Sequence, residues 1–251
     1  VPTIDLLLLA LAGLALLSMP VFAVVSRRRP RDPEVVARPR TALLGYWVRD
    51  WLMWAVGPFE RGLVRARWSP FTLNVAGLVC GVLAGAAYAA SALTVAGCLV
   101  LAGGLADILD GRIARARGVT SARGAFLDST LDRFTESLAF LGIVPYFRDR
   151  PLIAFAAALA LAGSLLVSYA RARGEAAGAS VQGGMMPRAE RLVLLGLASM
   201  LDGLVTRAIG ARPGSLLAWG LIVIAVGSLG TSVWRTARIA RIMRERRNPG
   251  S

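Results

Sequence analysis

The sequence predicts an all-α polytopic membrane protein, with a six-helix transmembrane core preceded by an N-terminal transmembrane anchor and an interfacial juxtamembrane helix. Three observations predict it. Of the 251 residues, 56% are hydrophobic, too many for a soluble domain. Seven apolar stretches are candidates to cross the ~30 Å hydrocarbon core, which takes about 20 helical residues. No segment alternates as a strand does, and no internal repeat is visible. The stretches run Ile4–Val25, Phe71–Ala90, Leu93–Ile113, Phe126–Phe147, Leu152–Tyr169, Leu192–Val205 and Leu216–Val233. Leu192–Val205 is the weakest.

Residues 1–26 form the anchor. No basic residue precedes the apolar run, the charges of "SRRRPR" follow it, and no small-x-small cleavage site is evident. It reads as a retained anchor, not a cleaved signal. Residues 27–41 are a polar, proline-containing cytoplasmic linker. Residues 42–69 read as the juxtamembrane helix. Trp47, Trp51 and Trp54 recur at i, i+4 and i+7, on one face, which places the indoles at headgroup level. Gly57-Pro58 is expected to break that helix, with a basic segment continuing to Arg67. Residues 70–247 hold the six-helix core, and 248–251 are a tail.

All 29 basic residues are arginine; lysine and histidine are absent. Imidazole is therefore excluded as ligand or base. Cys80 and Cys98 lie in separate apolar segments and read as small buried hydrophobes, with no disulfide or zinc pattern. Most arginines fall in Ser26–Ser69, Arg112–Arg123, Arg171–Arg191 and the tail from Arg235, connections that share one side of the membrane. The opposite side holds Arg148, Arg150, Arg207 and Arg212. The positive-inside rule puts the rich side in the cytoplasm and the N-terminus outside, in the cell membrane. The net charge of +14 is then a topology signal with attraction to anionic lipid, and nucleic acid is not needed to explain it.

Against this apolar background, "ADILDGRIARARGVTSARGAFLDSTLDR" places four aspartates at Asp107, Asp110, Asp128 and Asp132. An aspartate at mid-bilayer costs about 2.5–3.5 kcal/mol on the insertion scale, so each is a candidate functional residue. Asp107 and Asp110 share one helix face, and Asp128 and Asp132 share another. Asp110 lies about five residues before the connection and Asp128 about five after it, or ~8 Å at 1.5 Å per residue. Antiparallel neighbours would bring both pairs to one level, just below the cytoplasmic surface. Four carboxylates there need a cation. Arg112, Arg115 and Arg133 could supply it; so could a hard divalent metal, which suits an oxygen-only donor set. Gly103, Gly104, Gly111 and Gly124 permit close approach of a helix or ligand. Spacing alone leaves three readings open: metal-assisted phosphoryl chemistry, an ion pathway, and structural ion pairs.

The order Asp107-x2-Asp110-Gly111-x2-Ala114-Arg115-x8-Gly124-x3-Asp128-x3-Asp132 resembles, position by position, the signature of the CDP-alcohol phosphotransferases. The resemblance covers roughly Trp47 to Arg247. It implies a CDP-diacylglycerol-dependent phosphatidyltransferase of phospholipid biosynthesis. An acceptor hydroxyl would attack the β-phosphate of the CDP-lipid and release CMP. It implies two Mg²⁺ ions, with Mn²⁺ as the alternative, held by Asp107, Asp110, Asp128 and Asp132. Asp132 would also act as the base, and Gly111, Arg115 and Ser121 would contact the CDP moiety. In "SPFTLNVAG", Asn74 stands where the family usually has threonine, and its amide can donate to a phosphate. A homodimer is also implied.

The acceptor rests on the arginines further along. Ser168-Tyr169-Ala170-Arg171-Ala172-Arg173 resembles a stretch of the prokaryotic phosphatidylinositol-phosphate synthases, with Arg171 at their usual lysine. Arg191 and Arg235 match arginines that family uses for the acceptor phosphate. Ser168, Arg171, Arg173, Arg191 and Arg235 are thus the expected acceptor site, with inositol phosphate as the acceptor. Alternatives are glycerol 3-phosphate, giving phosphatidylglycerophosphate, and non-phosphorylated inositol or serine. A divalent-cation transporter is the rival of another class. It does not need Gly111, Ala114 and Arg115 at fixed positions, and an arginine beside a cation path works against it.

Overall fold

The computed structural model describes residues 3–37, 44–181 and 183–247, all helices and connections. The end of the expected linker (38–41), the first residues of the expected juxtamembrane segment (42–43) and the tail (248–251) lie outside the described residues. Seven long helices coincide with the seven apolar stretches: α1 (Thr3–Val25), α4 (Pro70–Ala89), α5 (Leu93–Ala116), α6 (Ala122–Tyr146), α7 (Pro151–Ala176), α8 (Arg188–Ala208) and α9 (Ser215–Arg247). Two others precede the core: α2 (Pro33–Ala37) and α3 (Tyr46–Arg65). Among the described residues, five of these nine helices (α1, α4, α5, α7 and α9) are long and apolar enough to cross a membrane by themselves. Helices α6 and α8 fall short because each carries several charged residues. Asp132, Glu136, Arg188, Arg191 and Asp202 among them have partners inside the bundle, which is how a charged helix is accommodated there. The chain is a multi-pass membrane protein.

Helices α4 to α9 pack as a closed ring. Going round it, α4 touches α5, α5 touches α8, α8 touches α9, α9 touches α7, α7 touches α6, and α6 returns to α4. The expectation that α5 and α6 are close neighbours is corrected. They touch only slightly, and α4 packs against both. Glycine makes these contacts close. A Cβ on Gly97 of α5 would sit 2.6 Å from the Met200 backbone nitrogen of α8, and one on Gly81 of α4 would sit 2.8 Å from the Thr135 Cα of α6. Backbones this near leave no room for a side chain.

The ring encloses a core built from Tyr88, Val100, Phe140, Ile143, Phe147, Leu195, Leu217, Leu221 and Ile224, all buried. The Ser199 hydroxyl donates to the Leu195 carbonyl at 2.7 Å, which makes the Tyr88 hydroxyl the donor in its 2.6 Å bond to Ser199. Asp202, near the far end of α8, accepts from the backbone nitrogens of Gly214 (2.7 Å), Leu216 (2.9 Å) and Leu217 (3.2 Å). It caps α9, whose first-turn N–H groups would otherwise be orphaned in the bundle. Outward-facing Leu152, Phe155, Trp219, Val226 and Val233 are exposed, as a lipid-facing surface requires.

One local expectation fails. Helix α3 runs straight through Gly57-Pro58. A mid-helix proline costs about 3 kcal/mol. Burial of Val56 with Leu52, Leu63 and Val64 against Leu73, Leu105, Leu109 and Ile113 spans the proline and offsets that cost. The indole stripe also meets protein. Phe22 of α1 lies 5.5 Å from Trp47 and 5.6 Å from Trp54, ring centre to ring centre, and Trp51 Nε1 donates to Ser18 Oγ at 2.9 Å. The periodicity of the tryptophans gave the face correctly but not what covers it.

Candidate active site

The aspartates converge at the arginine-rich end of the ring, where α5 ends and α4, α6 and α8 begin. One carboxylate oxygen from each of Asp107, Asp110 and Asp128 lies within 4.8 Å of the others. Such a set of three carboxylates, oxygen-only, fits a hard divalent cation. Asp132, one turn below Asp128, stands outside this trio. Turned so that its nitrogen faces the carboxylates, the Asn74 amide donates to Asp110 Oδ2 (2.8 Å) and Asp128 Oδ1 (2.9 Å), joining α5 to α6 through α4. Gly103 of α5 lies against α4 at ordinary packing distance. A Cβ there would be 3.5 Å from the Gly77 carbonyl oxygen and 3.4 Å from Cys80 Cβ.

The arginine among the carboxylates is not one that sequence proximity suggested. Arg188, the first residue of α8, reaches Asp107 Oδ2 with Nη1 (2.7 Å) and Asp132 Oδ1 with Nη2 (2.8 Å). Its charge offsets part of the repulsion among the four aspartates. Of the three arginines expected there, Arg133 turns to the Ser129 carbonyl of its own helix beside Asp128, and the other two are engaged elsewhere. Arg112 pairs with Glu60 (2.6 Å) and Asp32 (3.1 Å), and Arg115 pairs with Glu34 (2.8 Å). Arg188 lies more than fifty residues beyond Asp132 in the chain. Only its position in "MPRAER", directly before an apolar helix, hinted at a place near the aspartates.

Beside the carboxylates opens a cleft of about 600 Å³, whose lining includes Asn74, Asp110, Gly111, Ala114, Arg115, Ser121, Gly124 and Asp128. All four residues expected at the CDP moiety are therefore on one wall system. Ser121 also serves the fold, because as the N-cap of α6 it accepts from the Gly124 nitrogen at 3.0 Å.

The five residues expected at the acceptor divide. Arg171 and Arg173 are exposed near the end of α7, with Arg171 paired to Glu175 one turn on at 2.8 Å, and Ser168 is half-buried just before them. Arg191 and Arg235 are buried. Arg191 holds Glu136 with two hydrogen bonds (2.7 and 3.0 Å) and donates to the Met186 carbonyl (3.0 Å). Arg235 donates to the Gly183 carbonyl (2.8 and 3.0 Å) and the Val167 carbonyl (3.0 Å). These guanidinium groups tie α6, α7, α8 and α9 together behind the aspartates.

Comparison with known proteins agrees with this geometry. Residues 67–227 match the family model described as CDP-alcohol phosphatidyltransferase. The phosphatidylinositol phosphate synthase of Streptomyces avermitilis is 34% identical over 226 residues, covering 87% of this chain and 89% of that one. The Mycobacterium tuberculosis enzyme of the same name is 38% identical over 144 residues, 55% of this chain and 65% of its own. Among solved structures, the M. tuberculosis phosphatidylinositol phosphate synthase with CDP-DAG bound superposes with a TM-score of 0.63 at 31% identity, covering 72% of this chain and 92% of that one. The same enzyme in complex with manganese and citrate gives 0.64 at 30% identity, over 73% and 88%. Aspartate trio, glycine-lined cleft and matched length together place the chain: it belongs to the CDP-alcohol phosphatidyltransferase family.

Proposed function

We propose that this protein transfers a phosphatidyl group from CDP-diacylglycerol to a hydroxyl of inositol phosphate and releases CMP. The observation that carries the reading is the Asp107–Asp110–Asp128 trio opening onto a cleft large enough for a nucleotide, with Arg115 and Ser121 on its wall. The likeness to enzymes named phosphatidylinositol phosphate synthase over most of both chains supports the acceptor.

Two Mg²⁺ ions, or Mn²⁺ in their place, held by Asp107, Asp110, Asp128 and Asp132, would neutralise the pyrophosphate and the departing CMP. The rest of the work falls to the chain's own side chains. Gly111 and Gly124 keep the cleft floor clear. Arg115 offers a guanidinium to the nucleotide, Asn74 orients Asp110 and Asp128, and the Ser121 hydroxyl, an acceptor toward Gly124, keeps its proton for the ligand. Asp132, held by Arg188, takes the acceptor's hydroxyl proton on a carboxylate oxygen. The freed oxygen attacks the β-phosphorus, the bond to the CMP oxygen breaks, and a phosphodiester forms. Ser168, Arg171 and Arg173 meet the phosphorylated acceptor. Arg191 and Arg235 shape its pocket from behind; their buried, fully engaged positions support that division.

The arginine-rich connections all lie at the aspartate end, which supports a site facing the cytoplasm with the N-terminus outside. We take the working unit to be a homodimer. The test is CMP release from CDP-diacylglycerol and Mg²⁺ by purified protein. Release is expected with inositol phosphate. Release only with glycerol 3-phosphate, inositol or serine would replace the acceptor, and none with any acceptor would remove the reaction.

A further inference from the structure

Segments ahead of the matched residues 67–227 reach the cleft. Asp32 and Glu34 precede α3, yet both contact α5. Asp32 is fixed three ways: its nitrogen donates to Asp50 Oδ1 of α3 (3.0 Å), Oδ2 pairs with Arg112 of α5 (3.1 Å), and Oδ1 accepts from the Glu34 nitrogen (2.9 Å). That last bond places Glu34 at the start of α2. The Glu34 carboxylate then meets Arg115, with Oε1 2.8 Å from both Nε and Nη2.

The guanidinium of Arg115 is thereby held by one edge. Its Nη1 lies over Gly111, 3.2 Å from where a Cβ on that glycine would be, on the side where the cleft opens. The Arg115 side chain is 49% exposed, so without a tether it has many rotamers to sample. We propose that Glu34 is a positioning residue of the donor site: it anchors the Nε–Nη2 edge of Arg115 and so presents Nη1 to the CDP-lipid. This rests on the reading that Arg115 contacts the nucleotide. It makes the N-terminal segment part of the donor site.

The experiment is steady-state CMP release and direct CDP-diacylglycerol binding by the full chain. Exposed ion pairs are weak, so a modest effect is expected. Glu34→Gln should raise the KM and Kd for CDP-diacylglycerol about three-fold, leaving kcat and the acceptor KM unchanged. Glu60→Gln, which removes a partner of Arg112 but none of Arg115, should leave the donor KM unchanged. In an Arg115→Ala background, Glu34→Gln should add nothing. An unchanged or lower donor KM in Glu34→Gln would overturn the proposal. So would an equal rise in Glu60→Gln, or a full further rise on top of Arg115→Ala. If wild-type protein neither binds CDP-diacylglycerol nor releases CMP, the donor reading falls and takes this inference with it. If wild-type protein is active and Arg115→Ala raises the donor KM while Glu34→Gln does not, only the role of Glu34 is lost.

Discussion

Asp132 and Arg191 illustrate how differently two charged residues can serve one site. Asp132 is not one of the trio, and Arg188, which also holds Asp107, orients it at 2.8 Å. Asp132→Asn keeps the shape and removes the proton acceptor. It is expected to lower kcat by at least about 100-fold, in line with general-base contributions, while CDP-diacylglycerol binding stays near wild type. Turnover at the wild-type rate would remove Asp132 as the base. Arg191 is 1% exposed and faces Glu136 at 3%. Arg191→Ala strands a carboxylate inside the bundle, a change that costs about 3–5 kcal/mol. A much lower thermal midpoint in detergent is expected. Arg191→Met combined with Glu136→Leu should recover most of the loss, because an apolar pair of similar volume needs no counter-charge. Unaltered stability in Arg191→Ala, with a raised acceptor KM, would instead make Arg191 a direct phosphate ligand.

At the scale of helices, glycines set the spacing on which the site depends. Gly97 and Gly104 lie on α5 two turns apart, and both face α8. A Cβ on Gly97 would meet the Met200 nitrogen at 2.6 Å, whereas one on Gly104 would meet Leu192 Cδ1 at an ordinary 3.6 Å. Gly97→Ala must push α5 away from α8, an overpacking cost of about 1–3 kcal/mol. It also shifts Asp107 relative to Arg188, so both thermal midpoint and activity should fall. Gly104→Ala should be tolerated in both measurements. Equal tolerance of the two would mean that the α5–α8 spacing is not critical. Helix α3 makes the complementary point: a proline that local rules read as a breaker is carried by apolar burial on both sides of it.

Across the whole molecule, the ring holds four carboxylates at one level with Arg188 as the internal cation, so divalent metal should stabilise the fold. Binding to the native state alone adds about 2.7 kcal/mol at a hundred-fold excess over Kd. Mg²⁺ or Mn²⁺ should raise the thermal midpoint, and a chelator should reverse the rise. Replacing Asp110 and Asp128 by Asn should abolish it; a rise that survives those substitutions would place the metal elsewhere. Composition and hydropathy period determined the class and all seven long helices, because transfer of an apolar helix into lipid is a local property of about 20 residues. The aspartate spacing likewise placed each pair on one helix face, since i, i+3 and i, i+4 geometry is local. Tertiary structure decided the rest. It put α4 between α5 and α6 and so placed Asn74 between Asp110 and Asp128. It brought in Arg188 from more than fifty residues away, turned the tryptophan stripe onto α1, and sent Arg112 and Arg115 to Asp32, Glu60 and Glu34. Each of those pairings satisfies a charge or fills a space created by another helix, and a charge in a sequence carries no mark of which distant partner will neutralise it.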